Sequence, residues 1–128
     1  MNIDLSNIAF QVYNMRRENL QRLILHSKDS TLNLMIVRIN TDIKNELPHK
    51  NIGRDEYFSV VEGAVLFKKF ADNGSTIVHE EKIQKSPFYL THIPADVFHT
   101  ISTISSEAYL LEIIGGKFMN GSTTYLNM

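Results

Sequence analysis

Hydrophobic and polar positions divide this chain into two textures. Near the start, Ser6 is a suitable N-cap for a short helix over about residues 7–14, with Ile8, Val12 and Met15 spaced to share one face. Residues 16–25 fit two patterns: Leu20, Leu23 and Ile24 have helical spacing, while Leu23-Ile24-Leu25 also reads as a short strand. From Leu32 onward, short apolar runs rich in β-branched and aromatic residues are broken by turn residues about every ten positions, an all-β pattern. The predicted strands are 32–39, 56–61, 64–70, 76–81, 88–93, 98–103 and 108–114. Asn73-Gly74 is the strongest hairpin signal, because a tight primed turn needs positive φ values that Asn and Gly tolerate. Phe58, Val60, Leu66, Phe67, Leu90, Ile101 and Leu111 are the expected core. The tail after Gly116 has little periodicity, which is compatible with loose packing or exchange with a partner subunit.

Composition narrows the chemistry. A chain of 128 residues fits one domain. Its formal net charge of −1 supplies no basic field for nucleic acid or an anionic membrane. With no cysteine, any metal must be held by nitrogen and oxygen. Asp4 and the absence of a basic stretch before an apolar run argue against a secretory leader, and no window reaches membrane-spanning length, so the expected location is the cytoplasm.

His49, Glu56 and His99 are the residues that most limit the function. Two imidazoles and a carboxylate are a ligand set for a divalent metal with open coordination positions, and here they fall within or beside predicted strands. The spacing His49-x-Asn51-x4-Glu56-x6-Gly63 resembles the first motif of the cupin superfamily, His-x-His-x(3,4)-Glu-x6-Gly. Pro94-Ala95-Asp96-Val97-Phe98-His99 resembles the second, Pro-x-Gly-x2-His. Within that superfamily, Leu25-His26-Ser27-Lys28-Asp29, Leu47-Pro48-His49, Glu56-Tyr57-Phe58, Val61-Glu62-Gly63, Ile93-Pro94, Phe98-His99-Thr100, Leu111-Glu112 and Gly116 resemble the small WbuC-type proteins of bacterial surface-polysaccharide gene clusters.

The resemblance implies an all-β, single-domain cupin: a jelly-roll barrel of about six to eight strands over residues 31–116. An N-terminal helical or extended segment, 1–30, would pack on it, and 117–128 would form a C-terminal tail. It also implies a homodimer and a divalent metal (Zn, Fe, Mn or Ni) held by His49, Glu56 and His99. Asn51 stands where the family has a second motif-one histidine. Asn can donate a carbonyl oxygen or hydrogen-bond to a ligand, but it is a poorer transition-metal donor than imidazole, and it equally suits a loop residue stabilising its own turn.

If 94–97 is a four-residue loop, Ile93 pairs with Phe98 and His92 lies across from His99, pointing into the barrel as a ligand-binding residue or proton carrier; a bulge would send it outward. The candidate catalytic residues are thus His49, His92 and Glu112, a glutamate in an apolar strand where burial would raise its pKa. His26 has a weaker claim through the resemblance, and His79 sits among charged residues on a solvated strand. Arg16, Arg17 and Arg22 are most simply a solvated helix face, with phosphate capping as the alternative.

The expected function is a metal-binding cupin acting on, or binding, a small polar metabolite, a sugar or sugar nucleotide of surface-polysaccharide synthesis. The alternatives are a non-catalytic ligand sensor and a metal-independent sugar-nucleotide ketoisomerase in which His49 is the acid or base.

Overall fold

The computed structural model describes residues 6–40 and 47–116 and the backbone of 123–125. One helix, α1 (Ile8–Glu18), precedes ten strands: β1 (Arg22–Ile24), β2 (Leu32–Ile39), β3 (His49–Asn51), β4 (Glu56–Glu62), β5 (Ala64–Phe70), β6 (Ile77–Gln84), β7 (Thr91–Ile93), β8 (His99–Thr103), β9 (Ala108–Gly115) and β10 (Thr123–Tyr125). They form two five-stranded antiparallel sheets, ordered β1-β2-β9-β4-β7 and β10-β3-β8-β5-β6. Apart from the β1–β2 and β5–β6 pairs, consecutive strands alternate between the sheets, and the facing sheet surfaces are apolar. Phe58, Val60, Ile93, Ala108 and Leu110 from the first sheet meet Val65, Phe67, Ile83 and Ile101 from the second. The Phe58 and Phe67 rings cross edge to face at 5.5 Å.

A second apolar layer lies on the other face of the first sheet. Val12 and Met15 of α1 pack on Ile36, Val61, Tyr109 and Leu111, with Ile8 at the margin, so the predicted helix face is the one that docks. The helix runs further than expected, to Glu18. Its N-cap is Asn7, which makes no side-chain capping bond, and not Ser6. Asn19, at φ 55°, ends it in the left-handed conformation. An ionic clasp then ties helix to sheet: Glu107 accepts Arg16 Nε at 2.7 Å on one oxygen and Arg38 Nε at 2.9 Å on the other. These bonds hold the Glu107 carboxyl below its ordinary range.

Several expectations change here. The chain after α1 resolves its ambiguity as strand β1. β6 extends to Gln84, and β3 forms where no strand was expected. The strand expected from Phe88 begins only at Thr91. Leu90, expected in the core, is 60% exposed, and Leu66 is only half-buried, because the alternation along β5 gives the inward places to Val65 and Phe67. The β5–β6 hairpin turns at Asn73-Gly74 as expected, but only Gly74 has positive φ (72°). Asn73 acts through its side chain, its Oδ1 accepting the Ser75 and Thr76 N–H groups at 2.9 and 3.0 Å. Most of the predicted tail, 117–128, lies outside the described residues, as does Asp4; within it, β10 pairs with β3.

Candidate functional site

Strand alternation carries most of the site. On β4, Glu56 shares the inward face with Phe58, leaving Tyr57 outside; on β9, Glu112 lies directly across from Phe58 and Ile114 across from Glu56. The two carboxyls are therefore diagonal neighbours on one sheet face. On the second sheet, His49 of β3 pairs with His99 of β8, and their rings lie 4.3 Å apart between centroids. Asn51, two residues beyond His49, turns the same way and donates from Nδ2 to Glu56 Oε1 at 3.3 Å. Residues of the two cupin-like motifs thus lie near one another between the sheets.

The loop after β7 decides the fate of His92. Residues 94–98 do not close a hairpin: β7 pairs with β4 in one sheet, whereas β8 belongs to the other. Ile93 is buried, so its neighbour His92 must face outward. There its ring stacks on Tyr57 at 4.6 Å and its Nε2 lies 3.7 Å from Asp55 Oδ1. The expectation of His92 as an inward ligand-binding or catalytic residue is overturned. Asp96 stands at the glycine position of the second motif and holds φ 65°. Asp is among the few residues to visit this region readily, and Asp96 Oδ1 also accepts the Gly53 N–H at 3.1 Å, joining the two motif loops.

Between the sheets lies a cavity of about 400 Å³. Its polar wall is His49, Asn51, Arg54, Glu56 and Glu112; Ile24, Met35, Val37, Ile39, Ile101 and Ile114 supply apolar surface. Glu112 borders the cavity, and among the described residues it has no hydrogen-bond partner. His26 borders the cavity but is held by the Leu34 backbone, whose N–H donates to Nδ1 at 3.0 Å. His79 is an outer-surface residue, 3.1 Å from Glu81. Arg16 belongs to the clasp, and Arg17 lies 3.8 Å from Glu18 on α1.

Arg22, read from the sequence as a solvated helix face with phosphate capping as the alternative, stands on β1 and borders the cavity; the polar lining residues Asn33 and Arg54 were not singled out. The available signal was period-two alternation: Arg22, Ile24 and His26 form one series, and Arg54 precedes Glu56 by two.

The electrostatics follow from desolvation. Burial raises the Glu56 carboxyl well above its ordinary range, with the nearby Glu112 charge adding to the rise; burial likewise raises Glu112, opposed by Arg22. Burial lowers His49, and lowers His99 to about 3, with His49 contributing. Both histidines are therefore neutral at neutral pH. Raised carboxyls stabilise the fold below their unfolded pKa and lose that contribution as pH climbs through their folded values. Lowered histidines contribute above about 6.5 and lose that contribution as pH falls toward their folded values. Glu112→Gln is accordingly expected to raise the urea midpoint of metal-free protein at pH 8 and to leave it nearly unchanged at pH 5. Equal shifts at both pH values would show that Glu112 is not desolvated.

His99 provides the test for a metal. Its Nδ1–H donates to the Val97 carbonyl at 2.9 Å, leaving the lone pair on Nε2. That Nε2 is buried, has no hydrogen-bond partner among the described residues and lies 3.8 Å from Glu56 Oε2, beyond hydrogen-bonding distance. Two acceptors facing each other in a desolvated place call for a proton on Glu56 or a cation between them. A carbonyl-anchored imidazole is also how a protein presents a metal-ligating nitrogen. Donor types and tautomer fit a divalent cation, with the His49 ring at hand as third donor. Among the described residues, however, no three His, Asp or Glu side chains are already gathered as a metal-binding cluster.

Comparison with known proteins gives likeness in structure alone: no family model and no curated protein matches the sequence. The capsular polysaccharide assembling protein CapF from Staphylococcus aureus superposes with a TM-score of 0.64 at 15% identity, over 84% of this chain and 34% of its own. The chain thus spans about a third of CapF. BH2720 from Bacillus halodurans aligns at a TM-score of 0.70 and 16% identity, over 98% of this chain and 86% of its own. The Cnp3 cupin domain of Schizosaccharomyces pombe aligns at 0.55 and 13%, over 75% and 64%. Among the described residues no helix is long and apolar enough to cross a membrane. With two facing antiparallel sheets, both motifs meeting between them and these structural likenesses, the chain has the cupin fold.

Proposed function

We propose that this protein is a small-molecule cupin that holds a divalent metal with His49, Glu56 and His99 and receives a small polar metabolite in the adjoining cavity. The observation that carries the reading is the buried, unpartnered His99 Nε2 facing Glu56. Bound there, a divalent cation supplies Lewis-acid polarisation of a substrate carbonyl or hydroxyl oxygen. Glu112 lines the same cavity, placed to take or return a proton on a neighbouring atom, and its raised pKa suits that exchange near neutral pH. Asn51 orients Glu56, and the apolar residues limit water.

The metabolite is a sugar or sugar nucleotide of bacterial surface-polysaccharide synthesis, handled in the cytoplasm. This assignment draws on the WbuC-type resemblance and on the likeness to CapF, a capsular polysaccharide assembling protein.

Metal analysis tests the reading. Protein prepared without a histidine tag and supplemented with divalent metals is expected to retain a stoichiometric ion after dialysis, and folded His49→Ala and His99→Ala variants to lose it. Absence of metal from the wild-type protein would overturn it. A specific observation favours a second reading: Asn51 already occupies one Glu56 oxygen, and a proton on Glu56 would equally relieve its opposition to His99. In that metal-free version Glu112 and His49 carry the acid and base roles, and incubation with keto-sugar nucleotides in deuterated water gives label incorporation without metal.

A further inference from the structure

The cavity does not end at its mouth. A shallow groove of about 280 Å³ adjoins it, and the two share Arg22, Val37, Ile39 and Ile101. Across that boundary the chemistry changes. The inner cavity contains both carboxyls together with Arg54, whereas the groove is bordered by Gln21, Arg22, Arg38 and Asn40 over an apolar floor, with no acidic side chain among its described lining residues. We propose that cavity and groove form one elongated site, whose ligand places its neutral polar part inside and a phosphate group against Arg22 in the groove.

Three observations support this, building on the reading of the cavity as a small-molecule site. First, among the described residues Arg22 makes no hydrogen bond or ion pair, whereas Arg38 is committed to Glu107 Oε2 at 2.9 Å and Asn19 Oδ1 at 2.7 Å. An exposed guanidinium at a cavity rim, with five N–H donors in a planar fork, matches phosphate oxygens. Second, its position is built: β1 pairs Arg22 with Val37, and the Arg38 N–H donates to the Gln21 carbonyl at 2.9 Å. The Gln21 and Asn40 amides add neutral donors at the same place. Third, Glu112 lies inward of Arg22: its strand partner is Met35, two residues from Val37, and it does not border the groove. Arg22 therefore stands between the carboxyl and the incoming anion, above a floor of Val37, Ile39 and Ile101.

The test is a titration of the full chain with inorganic phosphate at constant ionic strength, followed by ¹⁵N NMR including the arginine Nε–Hε signals, alongside metal retention. Saturable shifts at Gln21, Arg22 and Asn40 are expected, weakened about tenfold or more in Arg22→Gln. Arg22→Lys should recover part of the affinity. Wild-type protein showing no saturable shifts, or Arg22→Gln binding phosphate as tightly as wild type, would overturn the proposal. Metal retention separates this from the preceding section: a protein that holds metal but ignores phosphate loses only the groove. One that binds phosphate through Arg22 but holds no metal keeps the groove and loses the metal centre.

Discussion

Gly63→Ala is expected to destabilise the protein by about 3 to 5 kcal/mol, the largest effect foreseen for a single methyl group in this fold. Gly63 joins β4 to β5 at φ 85°, a conformation that alone costs an L-residue about 1 to 2 kcal/mol. Space is the larger obstacle. A Cβ there would lie 2.6 Å from the Glu107 carbonyl oxygen, 2.9 Å from Ser105 Oγ and 3.0 Å from Ala108 Cα. Two of those neighbours are backbone, so relief requires moving the start of β9 and the residue whose side chain clasps Arg16 and Arg38. Gly53 provides the control: its φ is 67°, but a Cβ there meets nothing within 4 Å, so Gly53→Ala should cost only about 1 kcal/mol. Urea unfolding of both variants measures the difference. Equal midpoints would mean that the close approach at Gly63 is not rigid.

Asn51→His is expected to tighten divalent-metal binding by roughly a hundredfold. Structural zinc sites with four donors are worth about 10 to 16 kcal/mol, or on the order of 3 kcal/mol per donor, equivalent to about two orders of magnitude in affinity. Asn51 is buried, lies on the inward series with His49 and already touches Glu56, so an imidazole there starts beside the other proposed donors. Competition against a chelator of known affinity reads the change. An unchanged affinity would show that this position does not face the metal, and would favour the reading in which a proton sits between Glu56 and His99.

Much of the molecule was legible in local pattern. The all-β texture, the helix face that docks through Val12 and Met15 and the hairpin at Asn73-Gly74 depend on period and turn chemistry. Each of these is recorded in neighbouring residues. Failures occurred where the outcome depends on which strand comes to lie alongside. Thr91–Ile93 and His99–Thr103 look like a hairpin, since the loop between them is short, yet the chain uses that loop to cross between sheets; His92 therefore stacks outside on Tyr57. Leu90 looks like core by composition but is exposed, just ahead of β7.

The same distinction holds for the site. Sequence alone determined the donor types, the chain's inability to use thiolate and the replacement of an imidazole by Asn51, because these are properties of residues and their spacing. Tertiary structure alone decided that Glu112 faces the cavity near Glu56, that His99 Nε2 is left without a partner, and that Arg22 moves from a supposed helix face to the rim of a groove. Those outcomes arise from pairing between strands far apart in the chain, and from the desolvation that pairing imposes.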